Sequence, residues 1–563
     1  MSLVVANLRS LARPRWLAVG VIAAIHAAAL VTMYWTEYSW FDWTLFLLIW
    51  GLLNCFWLVL LRRPALSAAL SFAMVSTVIV LSLFKFRIIW MTLNLFDVLI
   101  IDPDTIAFLL SIYPDLRTTL LVAAIFSLPA AVLIWWLDPF RVRRSAAAIG
   151  AIACLAGIIG LALPWPLEPS ESFYGNNHVS RFVRSGILTA PDLLSDGWFE
   201  AEAAVADRLK TGAENCRPSK RPPHIIMVLD EASFDITKVP GIKTPPGHAQ
   251  HFQSFDGKAR SLLVESTGGP TWYTEYNVLT GLSSRSYGRL QYYVTRIAAG
   301  KVERGLPQAL RRCGYKTTTL YPAHNAFLSA RKFQTGTGVQ RLIDSTEMQM
   351  GDAEPDSFFY DQASRIIARE HDEPLFLFVY TVANHFPWDF VYRPDLMPEW
   401  SVPGNSPEVD EYLRRQTMSA HDYQEFVERL KRDYPGEPFL IVRFGDHQPT
   451  LSAKIVDPTA DEETVARRIH AHDPRYFTTY YAIDTINYRP ADVSSALDQL
   501  EAPYLPLLIL EAAGLPLDAS FTEQKRIFQR CHGQFYLCAG GAEARRFNRL
   551  LIQAGLIKGL VSR

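Results

Sequence analysis

The sequence lacks an excess of charge of either sign. Its 563 residues include 55 lysines and arginines and 56 aspartates and glutamates, which gives a net charge of −1. Proteins whose main partner is nucleic acid carry a basic surface, so this balance argues against nucleic acid as a partner. The length exceeds that of one ordinary domain and predicts at least two.

Charge is scarcest in the first third of the chain. Five apolar runs there contain almost no charged residue, and each is close to the ~20 residues that a helix needs to cross a bilayer. We therefore predict an α-helical membrane domain of five spans. The runs are Trp16–Trp35, Trp43–Leu61, Leu66–Phe84, Thr118–Leu137 and Ala146–Leu163.

Arginines are placed unevenly around these runs. They precede the first run, follow the second and separate the fourth from the fifth. If all five runs cross, these places share one side, and the positive-inside rule makes that side cytoplasmic. Everything after Pro164 is then expected outside the cytoplasm of a bacterial inner membrane. The partly apolar loop from Lys85 to Asp115 is interpreted as lying along the outer interface.

Cysteines are few, and four of the six fall in the part expected outside the cytoplasm, where disulfides form. Four cysteines allow three pairings. Nearness in sequence predicts a bridge between the last two, after which the first two would pair. No second cysteine pair has metal-ligand spacing, which argues against a cysteine zinc site. The four are Cys216, Cys313, Cys531 and Cys538.

The polar remainder divides into a linker, 165–222, and an α/β domain, 223–563, after the membrane domain, 1–164. Short helices are expected in the linker. In the α/β domain apolar runs alternate with helical stretches, which predicts a mostly parallel sheet with helices on both faces. The predicted linker helices are Ser180–Leu188 and Asp192–Leu209. The predicted strands are His224–Leu229, Thr317–Tyr321, Leu375–Tyr380 and Phe439–Phe444, and the predicted helices are Thr274–Gly281, Gly305–Cys313, Asp356–Glu370 and Ala420–Asp433.

Acidic and imidazole side chains follow three of these strands. Asp230 and Glu231 follow the first, His385 follows the third, and Asp446 and His447 follow the last. Ligands gather at the carboxyl ends of parallel strands. Carboxylate and imidazole groups suit Zn²⁺ or Mn²⁺, and carboxylates suit Mg²⁺. Each pair taken alone is commonly a helix cap or a surface pair, but the coincidence of all three predicts a metal site.

A Gly-Gly-Pro turn precedes Thr271, which we place at the start of a helix. Unpaired N–H groups at a helix start point towards a bound anion. A hydroxyl at this position is well placed to attack a phosphate or a sulfate.

Together these segments resemble the lipoteichoic acid synthase and phosphoglycerol transferase group of the sulfatase/alkaline phosphatase superfamily. The resemblance covers nearly the whole chain. It implies five membrane spans followed by an α/β domain of the alkaline-phosphatase type with a mostly parallel sheet. The motifs are Leu229-Asp230-Glu231-Ala232-Ser233, Thr271-x-x-x-Glu275, His385-Phe386-Pro387 and Gly445-Asp446-His447.

The resemblance implies that four residues hold one divalent ion, Mn²⁺, Mg²⁺ or Zn²⁺, and that Thr271 is also the nucleophile. Four further residues are implied or considered at the substrate: His385 at the phosphate, Arg331 at the headgroup, His324 as an acid or base or a surface residue, and Trp272 as a sugar platform or a packing residue. Asp230 is not at the family's ligand position. The implied metal ligands are Glu231, Thr271, Asp446 and His447.

The implied reaction transfers a phospho-headgroup, phosphoglycerol, from a membrane phospholipid such as phosphatidylglycerol to an extracytoplasmic glycan or lipid acceptor through a covalent threonine intermediate. The family's glycerol-contacting aspartate and tryptophan fall here on His324 and Ser329, so phosphoethanolamine transfer stays an alternative. A phosphodiesterase or sulfatase-type hydrolase is another, although Thr271 is not in the Cys/Ser-x-Pro-x-Arg motif that sulfatases use. The intact ligand set argues against a non-catalytic protein.

Overall fold

The computed structural model describes residues 15–89, 91–100, 106, 109–110, 113–165, 175–195, 197–209, 216 and 221–560. The chain forms two compact units, Met1–Asp192 and Leu193–Arg563. The arginines before Arg15 and much of the predicted interfacial loop, including Asp102 and Asp104, lie outside the described residues.

The first unit contains the five predicted apolar helices, so this prediction is confirmed. A short helix, α4, follows the third of them. Each long helix is long and apolar enough to cross a membrane. The helices are α1 (Arg15–Thr36), α2 (Trp40–Leu61), α3 (Pro64–Ile89), α4 (Leu95–Ile100), α5 (Pro114–Leu137) and α6 (Arg144–Ala162).

Buried aromatic and aliphatic side chains join these helices. Phe46, Ile49 and Trp50 of α2 lie in one cluster with residues of α1, α3 and α6. Trp50 Nε1 donates to His26 Nδ1 at 3.0 Å, which links α1 to α2 as a polar bridge between helices. Asn54 Nδ2 donates to Trp50 O in its own helix at 2.8 Å.

Helix α7 (His178–Ser195) contains the first predicted linker helix and packs in the first unit. Its start contacts α3 and the turn after α1: His178 Nδ1 is 2.8 Å from Ser82 Oγ, and Ser180 Oγ donates to Glu37 Oε2 at 2.5 Å. The second predicted helix, Asp192–Leu209, is wrong beyond Ser195, because residues 197–209 form no helix.

The second unit is built on a sheet of eight strands in the order β4-β3-β5-β1-β6-β7-β2-β8. The strands from β4 to β6 are all parallel, and β7 runs antiparallel to both of its neighbours. The predicted mostly parallel sheet is therefore confirmed. The strands are β1 (His224–Asp230), β2 (Arg260–Leu263), β3 (Lys316–Leu320), β4 (Arg341–Ile343), β5 (Leu375–Tyr380), β6 (Phe439–Gly445), β7 (Thr478–Ile486) and β8 (Gln499–Glu501).

Helices cover this sheet, and the four predicted helices are present: Asp356–Glu370 has its predicted bounds, and the other three have shifted ends. The longest, α13, begins well before its predicted start because Pro407 occupies its first turn and Ser406 caps it. The helices are α8 (Thr271–Thr280), α9 (Val294–Ala298), α10 (Leu306–Arg312), α11 (Ala330–Gly336), α12 (Asp356–Glu370), α13 (Pro407–Asp433), α14 (Ser452–Val456), α15 (Glu462–His470), α16 (Pro474–Phe477), α17 (Leu505–Ala512), α18 (Ala519–Cys531) and α19 (Ala542–Gln553).

Two disulfides constrain the second unit, and both predicted pairs are confirmed. Cys216 pairs with Cys313 across 97 residues, and Cys531 pairs with Cys538 across 7. Closing the longer loop restricts the unfolded chain more, which by the chain-entropy model is worth about 4–5 kcal/mol.

Gly445 ends β6 where another backbone segment passes very close to it. A Cβ atom at this position would lie 1.8 Å from Ser233 O. Because the obstacle is backbone, it cannot rotate away, and only glycine fits.

Gly445→Ala is expected to destabilise the protein by about 3 kcal/mol or more through this overlap, measured as a lower melting temperature of the purified full chain. Gly436→Ala is the control, because a Cβ atom at Gly436 meets nothing within 4 Å. Equal melting temperatures for the two variants would contradict the close approach.

Candidate active site

Glu231 and Asp446 follow two strands that are neighbours in the sheet. Strands β1 and β6 run parallel, and Asp230 is level with Gly445 in their register. The next residue of each strand therefore leaves the same edge of the sheet at the same height. This register explains how two carboxylates more than two hundred positions apart in the sequence meet.

His447 joins them in a group of three residues able to hold a metal ion, all at most 7% exposed. One ligand atom from each lies within 4.8 Å of the other two. His447 Nε2 is 3.5 Å from Glu231 Oε1 and 3.3 Å from Asp446 Oδ2. The structure thus brings together three of the four predicted metal ligands in one buried group.

Two atoms of this group fit a metal ion. Asp446 Oδ2 and His447 Nε2 are buried and have no hydrogen-bond partner, an arrangement that costs about 1–3 kcal/mol per atom when nothing compensates it. His447 Nδ1 lies 2.9 Å from Gln448 O, so Nε2 is the lone-pair nitrogen when the ring is neutral. Carboxylate oxygens and an imidazole nitrogen suit Zn²⁺, Mn²⁺ or Mg²⁺.

The electrostatics of the group demand a positive charge between the carboxylates. Burial and the charge of Glu231 raise the pKa of Asp446 to about 7. Burial lowers the pKa of His447, but the charges of Asp446 and Glu231 outweigh it and raise the pKa to about 9. Burial likewise raises the pKa of Glu231, but His447 and His385 hold it below its usual value. A proton or a metal cation meets this demand.

Backbone strain next to Glu231 orients Asp446. Ala232 adopts a φ of 48°, a left-handed conformation that costs a residue with a Cβ atom about 1–2 kcal/mol. This turn aims the amide of Ala232 at Asp446, and Ala232 N donates to Asp446 Oδ1 at 2.8 Å. Oδ2 is left to face the other ligands.

Thr271 is the first residue of α8, as the Gly-Gly-Pro turn predicts. Gly268 and Gly269 have φ values of 72° and 145°, conformations that side chains disfavour. The turn pairs with the segment after His447, because Gly268 N donates to Gln448 O at 2.9 Å. Thr271 lies close enough to Asp446 for its hydroxyl to favour the charged carboxylate. The fourth predicted ligand is therefore adjacent to the other three.

Glu275 is buried one helical turn after Thr271. Gln334 Nε2 donates to Glu275 Oε1 at 2.8 Å and to Tyr380 Oη at 3.2 Å. Burial raises the pKa of Glu275 to about 7, although the bonds from Gln334 and Tyr380 oppose it. The sequence analysis gives this glutamate no role. The sequence feature that points to it is its spacing of four from Thr271, which places both residues on one helix face.

Asp230 points to a different set of partners from its neighbour Glu231. Asp230 Oδ2 is 3.0 Å from His251 Nε2 and accepts from Tyr480 Oη at 2.5 Å. Arg443 Nη1 in turn donates to His251 O at 2.9 Å. This buried network was not predicted, because His251 and Tyr480 lie in segments with no motif.

His385 is exposed and lies on the loop after β5. Its electrostatic effect lowers the pKa of Glu231 and so opposes the effect of burial. The preceding Asn384 donates from Nδ2 to Ala232 O at 3.5 Å, next to Glu231. The His385 ring lies 2.8 Å from Phe386 O through Nδ1, so Nε2 is the atom left for a substrate.

Arg331 and His324 lie on the segment that leads into α11. Arg331 donates to Glu347 Oε1 at 2.7 Å, and its guanidinium is 4.0 Å from Asp344. His324 Nδ1 accepts from Ala326 N at 3.3 Å, and the His324 side chain is exposed. The three-residue ligand group does not include either side chain. A headgroup role for either residue stays a prediction.

Trp272, directly after Thr271, packs against other aromatic side chains. Its Nε1 donates to Tyr292 O at 2.7 Å, and its ring meets those of Tyr292 and Phe327 edge to face at 5.1 and 6.1 Å. Of the two roles considered for Trp272 from the sequence, the packing role is therefore observed. A role in sugar binding stays a prediction.

The C-terminal part of the second unit contacts the segment next to His447 through backbone carbonyls. Gln448, next to His447, donates from Nε2 to the carbonyls of Arg475 and Thr478 at 2.8 and 2.7 Å. The Arg475 side chain pairs with Asp473 at 2.6 Å. The His472 ring packs on Phe477, with ring centroids 4.9 Å apart.

Comparison with known proteins places this geometry in context. The sulfatase family model matches residues 226–480. A curated relative, the capsular polysaccharide biosynthesis protein RkpI of Rhizobium meliloti, is 26% identical over 48% of this chain and 51% of its own length. The chain spans about half the length, or less, of the curated relatives it matches.

Solved structures with similarity include two transferases. The phosphoglycerol transferase GacH of Streptococcus pyogenes is 15% identical, with a TM-score of 0.46, over 61% of this chain and 92% of that chain. The phosphoethanolamine transferase EptA of Neisseria meningitidis is 12% identical, with a TM-score of 0.44, over 85% of this chain and 96% of that chain. The superfamily predicted from the sequence motifs is confirmed by the family model: residues 226–480 of this chain form a sulfatase-family domain.

Proposed function

We propose that this protein is a membrane-bound transferase that moves a phospho-headgroup, phosphoglycerol, from a phospholipid to an extracytoplasmic glycan or lipid acceptor. One observation carries the proposal: the Thr271 hydroxyl, at the start of α8, adjoins a buried group of Glu231, Asp446 and His447 that fits a divalent cation. A hydroxyl nucleophile beside a metal site is the minimum equipment for phosphoryl transfer by covalent catalysis.

The proposed reaction has two displacements at one phosphorus atom. Thr271 Oγ1 loses its proton, attacks the headgroup phosphate and forms a new P–O bond, while the bond to the diacylglycerol oxygen breaks and that oxygen takes a proton. An acceptor hydroxyl then attacks the same phosphorus, loses its proton and displaces Thr271 Oγ1, which takes a proton again. The role proposed for His385 Nε2 is to hydrogen bond to the phosphate oxygens as their charge develops.

A divalent cation held by Glu231, Asp446, His447 and Thr271 would lower the pKa of the Thr271 hydroxyl and balance the charge on the phosphate. The ligand types accept Mn²⁺, Mg²⁺ or Zn²⁺.

The proposed donor is a membrane lipid, and the five apolar helices support this assignment because they hold the chain in the same membrane. Anchoring raises the effective concentration of a lipid donor at the site. Arginine placement supports a cytoplasmic N-terminus and an active site outside the cytoplasm of a bacterial inner membrane. The curated relative named for capsular polysaccharide biosynthesis supports a glycan acceptor.

Incubation with headgroup-labelled phosphatidylglycerol should leave a phosphoglycerol adduct on Thr271, detected by mass spectrometry of the trapped peptide. Thr271→Ala should abolish the adduct and lower turnover by about 10⁴-fold or more, because no other group replaces the nucleophile. Thr271→Ser keeps a hydroxyl and should retain an adduct. A phosphoethanolamine adduct from phosphatidylethanolamine would instead support the alternative donor, and no adduct from either lipid would contradict the proposal.

Glu231→Gln should weaken metal binding by at least about 100-fold, because it alters a ligand itself. This loss is larger than is typical for substitution of a residue that only hydrogen-bonds to a ligand. Asp230→Asn is the matched control: it alters the adjacent buried carboxylate, which bonds to His251 and Tyr480 instead. It should keep metal affinity within about tenfold of the parent. Metal content after dialysis against a chelator measures both, and equal losses would show that Glu231 is not a ligand.

A further inference from the structure

The loop that carries His385 lies outside regular secondary structure. It runs from the end of β5 at Tyr380 to Pro407 at the start of α13. A catalytic side chain on such a loop needs other groups to hold its backbone in place. Buried charged side chains from two helices do so, one on each side of His385.

Asp356, the first residue of α12, holds the part before His385. It is 1% exposed, and its Oδ1 accepts from Val382 N at 3.0 Å and from Ala383 N at 2.9 Å. The entry to the loop is thereby tied to α12.

Arg415 of α13 holds the part that contains and follows His385. Its Nη1 donates to His385 O at 2.7 Å, and its Nη2 donates to Pro387 O at 2.8 Å and Phe390 O at 3.0 Å. Its Nε donates to Glu411 Oε1 at 2.6 Å. The planar guanidinium thus uses four of its five N–H donors. Three of these four hydrogen bonds reach the His385 loop.

Arg414, the preceding residue, is equally buried and pairs with the same carboxylate: both arginines are at most 1% exposed, and both pair with Glu411. Arg414, however, donates to Met397 O at 2.6 Å and to the carbonyl of Tyr392, in the later part of the loop. A comparison of variants at these two residues therefore distinguishes a general role in holding the loop from a specific role in holding His385.

Stability alone is a poor explanation for Arg415. Burial lowers its pKa against the opposing effect of Glu411, and a buried ion pair is often no more stabilising than an apolar replacement. What a guanidinium supplies is a rigid fork of directed donors, which an ammonium group cannot reproduce.

We infer that Arg415 is a positioning residue that sets the place of the His385 imidazole relative to Thr271 and the ligand group. This inference rests on the proposed function, because it assigns His385 to the phosphate being transferred. Arg415 does not touch substrate; it acts through the His385 backbone.

Arg415→Lys and Arg414→Lys in the full chain form the test, with charge and approximate length kept in both. Arg415→Lys should lower kcat about 100-fold with KM within about threefold, because displacement of a positioned group by about 1 Å costs that much. Arg414→Lys should stay within about threefold of the parent in kcat. Metal content and melting temperature should match between the two variants. Equal kcat losses in both would overturn the inference.

A double-mutant cycle distinguishes positioning from a structural role. In a His385→Ala background, Arg415→Lys should lower kcat less than about threefold further, because the group it positions is gone. If the two substitutions lower kcat by independent factors that multiply, the inference is overturned. A His385→Ala protein with the kcat of the parent would also overturn it.

Two probes keep this result separate from the proposed function: labelled phosphatidylglycerol in vesicles and bis(4-nitrophenyl) phosphate in solution. If the parent cleaves only the soluble diester, the lipid-donor proposal fails, and the cycle on that diester still decides the role of Arg415. If the parent cleaves neither, both proposals are overturned.

Discussion

Two carboxylates and an imidazole buried against one another are the constraint on which the catalytic unit depends. Glu231, Asp446 and His447 are each at most 7% exposed, and His447 Nε2 lies 3.5 and 3.3 Å from the two carboxylates. Two polar atoms of this group, Asp446 Oδ2 and His447 Nε2, have no hydrogen-bond partner. Such a group is electrostatically unfavourable unless a cation occupies its centre. The surrounding features, including the strained Ala232 and the close approach at Gly445, serve to hold these side chains where a cation can meet all of them.

The parallel sheet supplies the coarse geometry of the site, and irregular segments supply the fine geometry. The register of β1 and β6 brings the two carboxylates to one height. The Gly-Gly-Pro turn then delivers Thr271 to them, and Thr274 Oγ1 fixes α8 by donating to Asp446 O at 2.5 Å. His385 arrives on a loop whose backbone is held from two helices.

Much of this organisation was predictable from residue patterns. Five uncharged apolar runs predicted five helices because only such runs span a bilayer, and apolar strands ending in Asp-Glu and Asp-His predicted a metal site at one edge of the sheet. Other elements were not predictable. Strand β7 mixes polar and apolar residues without a regular pattern, β8 has only three residues, and the predicted helix Asp192–Leu209 does not continue through 197–209. Arg415 and His251 lie in helical or irregular stretches where a charged residue reads as surface.

The sequence by itself determined which residues are candidates for the chemistry, because a hydroxyl after Gly-Gly-Pro and ligand pairs after strands are local patterns with local physical causes. It also determined the membrane anchor, since hydrophobic length depends on composition alone. Only the tertiary structure decided which partners Asp230 has, His251 and Tyr480, and which of two adjacent arginines holds His385. Those choices depend on strand register and helix phase, which bring together residues distant in the chain, and no local pattern encodes them.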